Sequence, residues 1–292
     1  MLPLSITIGV LGYRYFSELN FLTPYLLALM LFFTFCKINP KEMKVKPWHW
    51  WLLAIQVFGS IAIYAVFAPF NKIIAQGLMI CVIAPTANAA AVITGKLGGS
   101  IESLTTYTLL SNLAVAIVVP VFFPMIAEGE HPDFISGFLT IASRVFPLLI
   151  GPFLLAMLMH AIGGKTLALL QKPKDIAFYL WSVALVIVTA RTVKSFVEND
   201  FEGWMAWSII IGSLLLTLSQ FAIGKYVGKH YGDRISAGQA LGQKNNILSI
   251  WMAQTYLGTS GLIAAIGPGM CVLWQNIVNS YQLWRVAHNK PI

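Results

Sequence analysis

One lysine lies deep inside an apolar part of the chain, within the segment Ala240-Leu241-Gly242-Gln243-Lys244-Asn245-Asn246. After Lys244 the next formal charge is Arg285, so the run between them suits a membrane interior. An ammonium group at that depth costs free energy, and such residues usually mark a substrate or ion pathway. The segment therefore predicts a membrane-spanning fold with its working centre at Lys244. The alternative is that Lys244 lies in a cytoplasmic loop, because this span is only weakly hydrophobic.

The composition favours a lipid-embedded protein. Of the 292 residues 58% are hydrophobic and 10% are charged, whereas a soluble domain carries about 25% charged residues. The net charge of +8 sits mainly in loops and does not indicate nucleic-acid binding. The three cysteines are far apart and suggest neither a disulfide nor a metal site. No H-E-x-x-H or G-x-S-x-G motif accompanies the histidines, so we do not expect an enzyme.

Ten transmembrane spans are expected, each of about 20 mostly apolar residues. Six of them are the charge-free stretches Leu19–Cys36, Pro47–Asn71, Ile73–Gly95, Ser103–Ala127, Val145–Gly164 and Gly203–Gly224. Met1–Tyr13 and Ile176–Ala190 are two shorter spans. The run Asn245–Trp284 is too long for one span and breaks near Gly258, so it supplies part of a ninth helix and all of a tenth.

The charge distribution sets the expected orientation. With both termini in the cytoplasm, most lysines and arginines fall in inner loops, as the positive-inside rule requires. Arg144 is expected to begin the sixth span and to reach the outer headgroups. Trp48, Trp50 and Trp51 are expected to form an interfacial aromatic belt. These features predict an integral protein of a bacterial inner membrane, embedded in the lipid bilayer.

The ten spans divide into two halves with matching interruptions. The fourth span contains Pro85 and Asn88, and the ninth contains two glycines with Gln243, Lys244 and its polar neighbours. Five spans per half invert the second half relative to the first. Paired interrupted helices in inverted repeats indicate a transporter site at the bilayer midplane. Helix N-termini at such a site favour an anion, whereas unwound carbonyls favour a cation.

Further polar side chains within the spans are candidates for the substrate or ion site. They are Gln56, Thr108, Asn112, Gln220, Asn246 and Asn276. Each of them could line a cavity, or could only join neighbouring helices by hydrogen bonds.

The chain resembles the bile acid:sodium symporter family, on the segment from Ala84-Pro85-Thr86 to Pro120 and on Ala237–Asn276. The resemblance implies an all-α fold of ten helices, in which broken helices 4 and 9 cross. It implies a core domain of about residues 47–127 and 203–286 and a panel domain of about 1–46 and 132–202. Members of this family move organic anions such as bile acids and small carboxylates, usually with two sodium ions.

The family's sodium ligands do not carry over to this chain. Its serine–asparagine pair falls on Ala90 and Ala91, and its shared glutamate falls on Ala240. Lys244 replaces a glutamine, whereas Gln56, Thr108 and Asn245 match the family pattern. We therefore expect no sodium, metal or other cofactor, because the Lys244 ammonium would repel a cation and could attract a substrate carboxylate.

The predicted function is sodium-independent transport of a small organic anion by alternating access. If Lys244 keeps its proton, the protein is a uniporter or exchanger; if burial lets the proton leave, transport could be proton-coupled. The alternatives are an ordinary sodium-coupled symporter, a membrane sensor without transport, and an auxin-efflux-like carrier. The sequence does not determine the substrate or the oligomeric state.

Overall fold

A computed structural model describes residues 2–38, 43–127, 133–172, 176–198 and 202–290. Within these ranges the chain is helical, and its one β-type feature is an isolated bridge between Thr86 and Lys244. The helices are α1 (Leu2–Leu11), α2 (Tyr13–Phe16), α3 (Thr23–Cys36), α4 (Pro47–Phe67), α5 (Lys72–Ile83), α6 (Ala90–Lys96), α7 (Ile101–Ile126), α8 (Phe134–Leu149), α9 (Gly151–Ile162), α10 (Gly164–Gln171), α11 (Ile176–Glu198), α12 (Gly203–Lys229), α13 (Arg234–Gly242), α14 (Asn246–Tyr256), α15 (Gly258–Ala264) and α16 (Ile266–Ala287). A 3-10 helix, Ser17–Leu22, joins α2 to α3.

Seven helical segments of the described chain are long and apolar enough to cross a membrane. They are Tyr13–Cys36, Pro47–Phe67, Ile101–Ile126, Phe134–Ile162, Ile176–Glu198, Gly203–Lys229 and Gly258–Ala287. Large apolar side chains such as Phe58 and Trp207 remain exposed on them, which suits contact with lipid. An all-α integral membrane protein is thus confirmed. The arrangement of ten spans in inverted halves stays a prediction, since α1 and α5 are each too short to count among the seven.

Two expectations are wrong: one about the start of the sixth span, and one about the interfacial tryptophans. The sixth span begins at Phe134 and not at Val145, so Arg144 lies inside it rather than at its start. Trp48 is fully buried, whereas Trp50 and Trp51 are 61% and 59% exposed; Trp48 therefore does not belong to an interfacial belt. Lys41 and Lys174, which contribute to the expected charge bias, lie outside the described residues.

Apolar clusters surround the facing ends of α5, α6, α13 and α14. One cluster joins Ile80 and Ile83 of α5 to Ile247 and Leu248 of α14, and extends to α3, α7 and α11. A second cluster includes Ala90 at the start of α6 and packs α13 against α4 and α7. These helix ends therefore lie in the interior, where backbone polar groups need partners from the protein.

Candidate functional site

The first interruption separates α5 from α6 at a proline. Helix α5 ends at Ile83, and Ala84 adopts an extended conformation with φ −44° and ψ 136°. Pro85 explains this geometry, because a proline disfavours the helical conformation of the residue before it. The Gln56 amide donates to the carbonyls of Ile83 at 2.8 Å and Ala84 at 3.1 Å. The end of α5 is thus satisfied by a side chain from α4.

The second interruption separates α13 from α14 at a glycine. A Cβ atom on Gly242 would lie 2.4 Å from the Phe221 ring, so only glycine allows α12 and α13 to approach this closely. Gln243 is extended, with φ −96° and ψ 107°. Asn245 then caps α14, since its Oδ1 accepts from the Leu248 amide at 3.3 Å. Asn245 therefore fixes where the helix resumes after Lys244.

The two extended segments cross and pair through their backbones. Ala87 N–H donates to the Gln243 carbonyl at 2.9 Å, and Asn245 N–H donates to the Pro85 carbonyl at 2.7 Å. Thr86 Oγ1 adds a bond to the Ala240 carbonyl at 2.7 Å. Each extended segment thus supplies partners for polar backbone groups that the adjacent helix ends leave open. We call this pair of segments, residues 84–89 and 243–245, the crossing.

Lys244 lies at the crossing and is 2% exposed. Its backbone N–H donates to Gln275 Oε1 of α16 at 3.0 Å, which fixes the residue from the opposite side. Its Nζ atom is buried and has no hydrogen-bond partner among the described residues. An ammonium group has three N–H donors, so the arrangement leaves an amine in the interior whose donors are unused.

Other candidate side chains at and around the crossing carry unused polar atoms. Both amide atoms of Asn88 and Asn246 lack partners within the described ranges, as do Asn112 Oδ1 and Gln220 Oε1. Asn246 is the first residue of α14 and is 3% exposed. Buried polar atoms are normally hydrogen-bonded. These atoms are therefore available to hydrogen-bond a ligand.

Three other candidates already have hydrogen-bond partners within the protein. All four hydrogen-bonding positions of Gln56 are used, because its Oε1 also accepts from Tyr107 and Ser111 at 2.9 Å each. Thr108 donates to the Leu104 carbonyl, and the Asn276 amide donates to the Val272 carbonyl. In this arrangement Gln56 positions the crossing. Tyr107 and Ser111, which donate hydrogen bonds to Gln56, hold its side chain in place. Sequence reasoning did not predict this role.

Three alanines, which the sequence comparison above expects in place of sodium ligands, carry only methyl groups. Ala90 and Ala240 are fully buried and pack in the same apolar cluster, and Ala91 packs against it from a partly buried position. A sodium ion needs oxygen donors, and an alanine side chain has none. These three side chains therefore offer no oxygen donor to a cation.

Sequence reasoning missed a second buried polar centre, at the start of α13. Asp233 Oδ2 accepts from Lys46 Nζ at 2.5 Å, Ser103 Oγ at 2.9 Å and Trp48 Nε1 at 3.2 Å. Burial raises the pKa of Asp233, but hydrogen bonds from Lys46, Ser236 and Ser103 outweigh it, so the pKa lies below its ordinary value. No local motif reveals this centre, because Lys46, Trp48 and Ser103 lie more than 120 positions from Asp233 in the sequence.

A polytopic α-helical membrane protein with an interior polar crossing is the class that these features define. The profile of the sodium bile acid symporter family matches residues 24–199, which is more than half of the chain, and the protein belongs to that family. The expected resemblance is thus confirmed, and it places the chain among membrane transporters of organic anions. The matched range contains Gln56 and the first interruption and stops before Lys244. A search of curated proteins finds no match.

Proposed function

We propose that this protein is a secondary transporter of a small organic anion, that it works by alternating access, and that it does not use sodium. The ammonium of Lys244 takes the place of the coupling cation. In this proposal α5–α6 and α13–α14 are the broken fourth and ninth spans of two inverted five-span halves. Both termini face the cytoplasm, and the membrane is the bacterial inner membrane.

The single observation that carries the proposal is the unpartnered, buried Nζ atom of Lys244. An uncompensated buried charge is unfavourable, whereas a carboxylate beside it restores a charge-assisted hydrogen bond. The amides of Asn88 and Asn246 supply further donors for the same ligand. The chemistry of these groups fits an anion with a carboxylate or similar oxyanion.

Two observations support independence from sodium. Ala90, Ala91 and Ala240 carry methyl groups at the three positions where the resemblance places sodium ligands, so none of these side chains can bind the ion. In addition, a protonated Lys244 at the crossing would repel a cation in a medium of low dielectric constant. No step of the proposed cycle passes through sodium.

The proton state of Lys244 distinguishes two modes of transport. If the amine remains protonated, the charge is fixed and the protein exchanges or uniports anions. If it releases its proton when the anion leaves, each cycle carries one proton with the substrate. The core domain (about 47–127 and 203–286) would move against the panel domain (about 1–46 and 132–202) in both modes.

Uptake into proteoliposomes tests the function and the coupling together. Radiolabelled taurocholate and a panel of small carboxylates serve as probes, with sodium, potassium or proton gradients imposed separately. We expect uptake of at least one anion that is the same in sodium and in potassium. Uptake that requires a sodium gradient would identify an ordinary symporter, and no uptake of any probe would favour a sensor without transport.

A further inference from the structure

Two cations lie side by side where α12 ends and α13 begins. The stem of Lys225, near the end of α12, lies across Gly238 of α13, because a Cβ atom on Gly238 would be 2.6 Å from Lys225 Cγ. Arg234 is the first residue of α13 and precedes Gly238 by about one helical turn. Residues four positions apart share one face of a helix. Lys225 and Arg234 therefore lie along the same face of α13.

A third cation comes from the end of α16. The Gln239 amide of α13 donates to Gln282 Oε1 of α16 at 3.1 Å, so the two helices are joined next to the lysine stem. Arg285 follows Gln282 by about one turn. In agreement with this placement, Arg234 and Arg285 both act electrostatically on the Lys225 ammonium. We call Lys225, Arg234 and Arg285 the basic cluster.

Two members of the basic cluster have no carboxylate to offset their charge. Lys225 and Arg285 are partly buried, and no carboxylate of the described ranges forms an ion pair with either of them. Arg285 Nε is buried without a hydrogen-bond partner in the same ranges. Asp233, which is adjacent to Arg234, is already paired with Lys46. Partly buried like charges repel one another and are little screened by salt, so an anion among them would stabilise this end of the fold.

Exposed apolar side chains lead up to the basic cluster along both spans. Leu218 and Tyr226 are exposed on α12, and Ile277 and Tyr281, four positions apart, are exposed on α16. The Arg285 guanidinium lies 5.7 Å from the centre of the Tyr281 ring and donates to the Tyr281 hydroxyl at 3.2 Å. Aromatic and basic side chains at the end of an apolar span are typical of the membrane interface. Positive charge at headgroup depth thus adjoins a surface that suits acyl chains.

We propose that the basic cluster binds the headgroup of an anionic phospholipid, whose acyl chains cover the exposed apolar side chains of α12 and α16. Basic pockets between transmembrane helices bind such headgroups. Guanidinium groups can hold a phosphate through two parallel hydrogen bonds, and a lysine adds a point charge. The lipid would anchor α13, which runs from Arg234 to Gly242 and ends at the crossing. This inference does not depend on the proposed transport.

Binding of defined lipids to the purified, delipidated full chain tests the site. The protein in dodecyl maltoside receives phosphatidylglycerol or phosphatidylcholine with the same acyl chains, and a third sample receives inorganic phosphate at the same concentration. Native mass spectrometry counts the bound lipids, and the melting temperature reports any ligand that prefers the folded state. We expect phosphatidylglycerol to bind and to raise the melting temperature in a saturable way, and the other two to do neither.

Substitutions in the basic cluster locate the headgroup. Lys225→Gln, Arg234→Gln and Arg285→Gln should each weaken the binding of phosphatidylglycerol by about fivefold, because each removes one positive charge from the phosphate. Arg285→Lys keeps the charge and should retain most of the affinity, which separates loss of charge from damage to the fold. Lys165→Gln is the matched control, at an exposed lysine of α10, which packs on α3 and α9. It should bind the lipid like the wild type.

Three results would overturn the inference. Equal binding of phosphatidylcholine and phosphatidylglycerol would show that the lipid is held without regard to its charge. An unchanged affinity for phosphatidylglycerol in all three glutamine variants would place the headgroup elsewhere. Saturable stabilisation by inorganic phosphate alone would assign the basic cluster to a soluble anion. None of these measurements involves transport, so a protein that binds the lipid but moves no anion contradicts only the proposed function.

Discussion

The two ends of α13 carry buried charged groups in contrasting surroundings. At its start, Asp233 receives hydrogen bonds from Lys46, Trp48 and Ser103. Just beyond its other end, the Lys244 amine is buried and no described residue serves as its hydrogen-bond partner. A buried polar group that is fully paired holds neighbouring helices together, whereas one left unpaired costs stability and is available to a ligand. We therefore interpret the first end as a structural joint, and we propose the second as the binding site.

The largest expected effect comes from removing the amine of Lys244. Lys244→Met should lower anion uptake by about 10- to 100-fold, because a hydrogen bond to a charged group contributes about 1.5–3 kcal/mol. The apparent free energy of unfolding should stay the same or rise, since a buried unpaired charge is gone. Uptake into proteoliposomes and denaturation in detergent measure the two effects. Lys229→Met, at an exposed lysine, is the control and should change neither.

Removing the carboxylate of Asp233 should have the opposite pattern. Asp233→Ala leaves the buried Trp48 N–H and Ser103 hydroxyl without an acceptor, and each unsatisfied group costs about 1–3 kcal/mol. We expect the apparent free energy of unfolding to fall by about 2–4 kcal/mol while the folded fraction keeps its uptake rate. Glu198→Ala, at an exposed carboxylate, should stay within about 0.5 kcal/mol. A stable Asp233→Ala variant without uptake would reverse the roles assigned to the two ends.

A smaller effect is expected at Gly242, where α13 stops. Gly242→Ala places a methyl group 2.4 Å from the Phe221 ring, and overpacking of this kind costs about 1–3 kcal/mol. The matched variant is Gly269→Ala, where no atom lies within 4 Å of the added Cβ. It removes a glycine from the interior of α16 and should stabilise the helix by up to about 1 kcal/mol. Equal melting temperatures for the two variants would show that Gly242 does not determine how the end of α13 packs against Phe221.

The smallest expected effect is the pH dependence of folding stability that the Asp233 carboxylate contributes. Its pKa is held below the ordinary value, so the folded state binds the proton less tightly than the unfolded state. The stabilisation is therefore complete above the unfolded pKa of about 3.9 and is lost as the pH falls through the folded value. The difference in melting temperature between wild type and Asp233→Asn should shrink between pH 6 and pH 3. A difference that is constant over this range would exclude the ionised carboxylate as its cause.

The sequence predicts much of the crossing because its determinants are local. Pro85 acts on the residue before it, Gly242 and Asn245 lie within a few positions of Lys244, and a lysine between apolar runs is visible without a structure. The membrane class can also be predicted without a structure, because it follows from the overall composition. The Asp233 end could not be predicted, since its partners come from α4 and α7 and lie far away in the chain.

Side-chain roles were harder to assign than backbone breaks. Gln56 looks like a site residue in the sequence, yet its amide is fully used in holding α5. Arg144 was expected at a headgroup, because periodicity alone did not show that α8 begins at Phe134. Both cases depend on which helix packs beside which, and a single sequence does not contain that information.

The central claim is that Lys244 stands in for a coupling cation at the crossing, and ligand-dependent thermal stability tests it most directly. A ligand that binds only the folded state raises the melting temperature in a saturable way. We predict that sodium and potassium have indistinguishable effects on the purified wild type, and that Lys244→Met does not restore a sodium response. A saturable stabilisation by sodium that potassium cannot reproduce would contradict the claim.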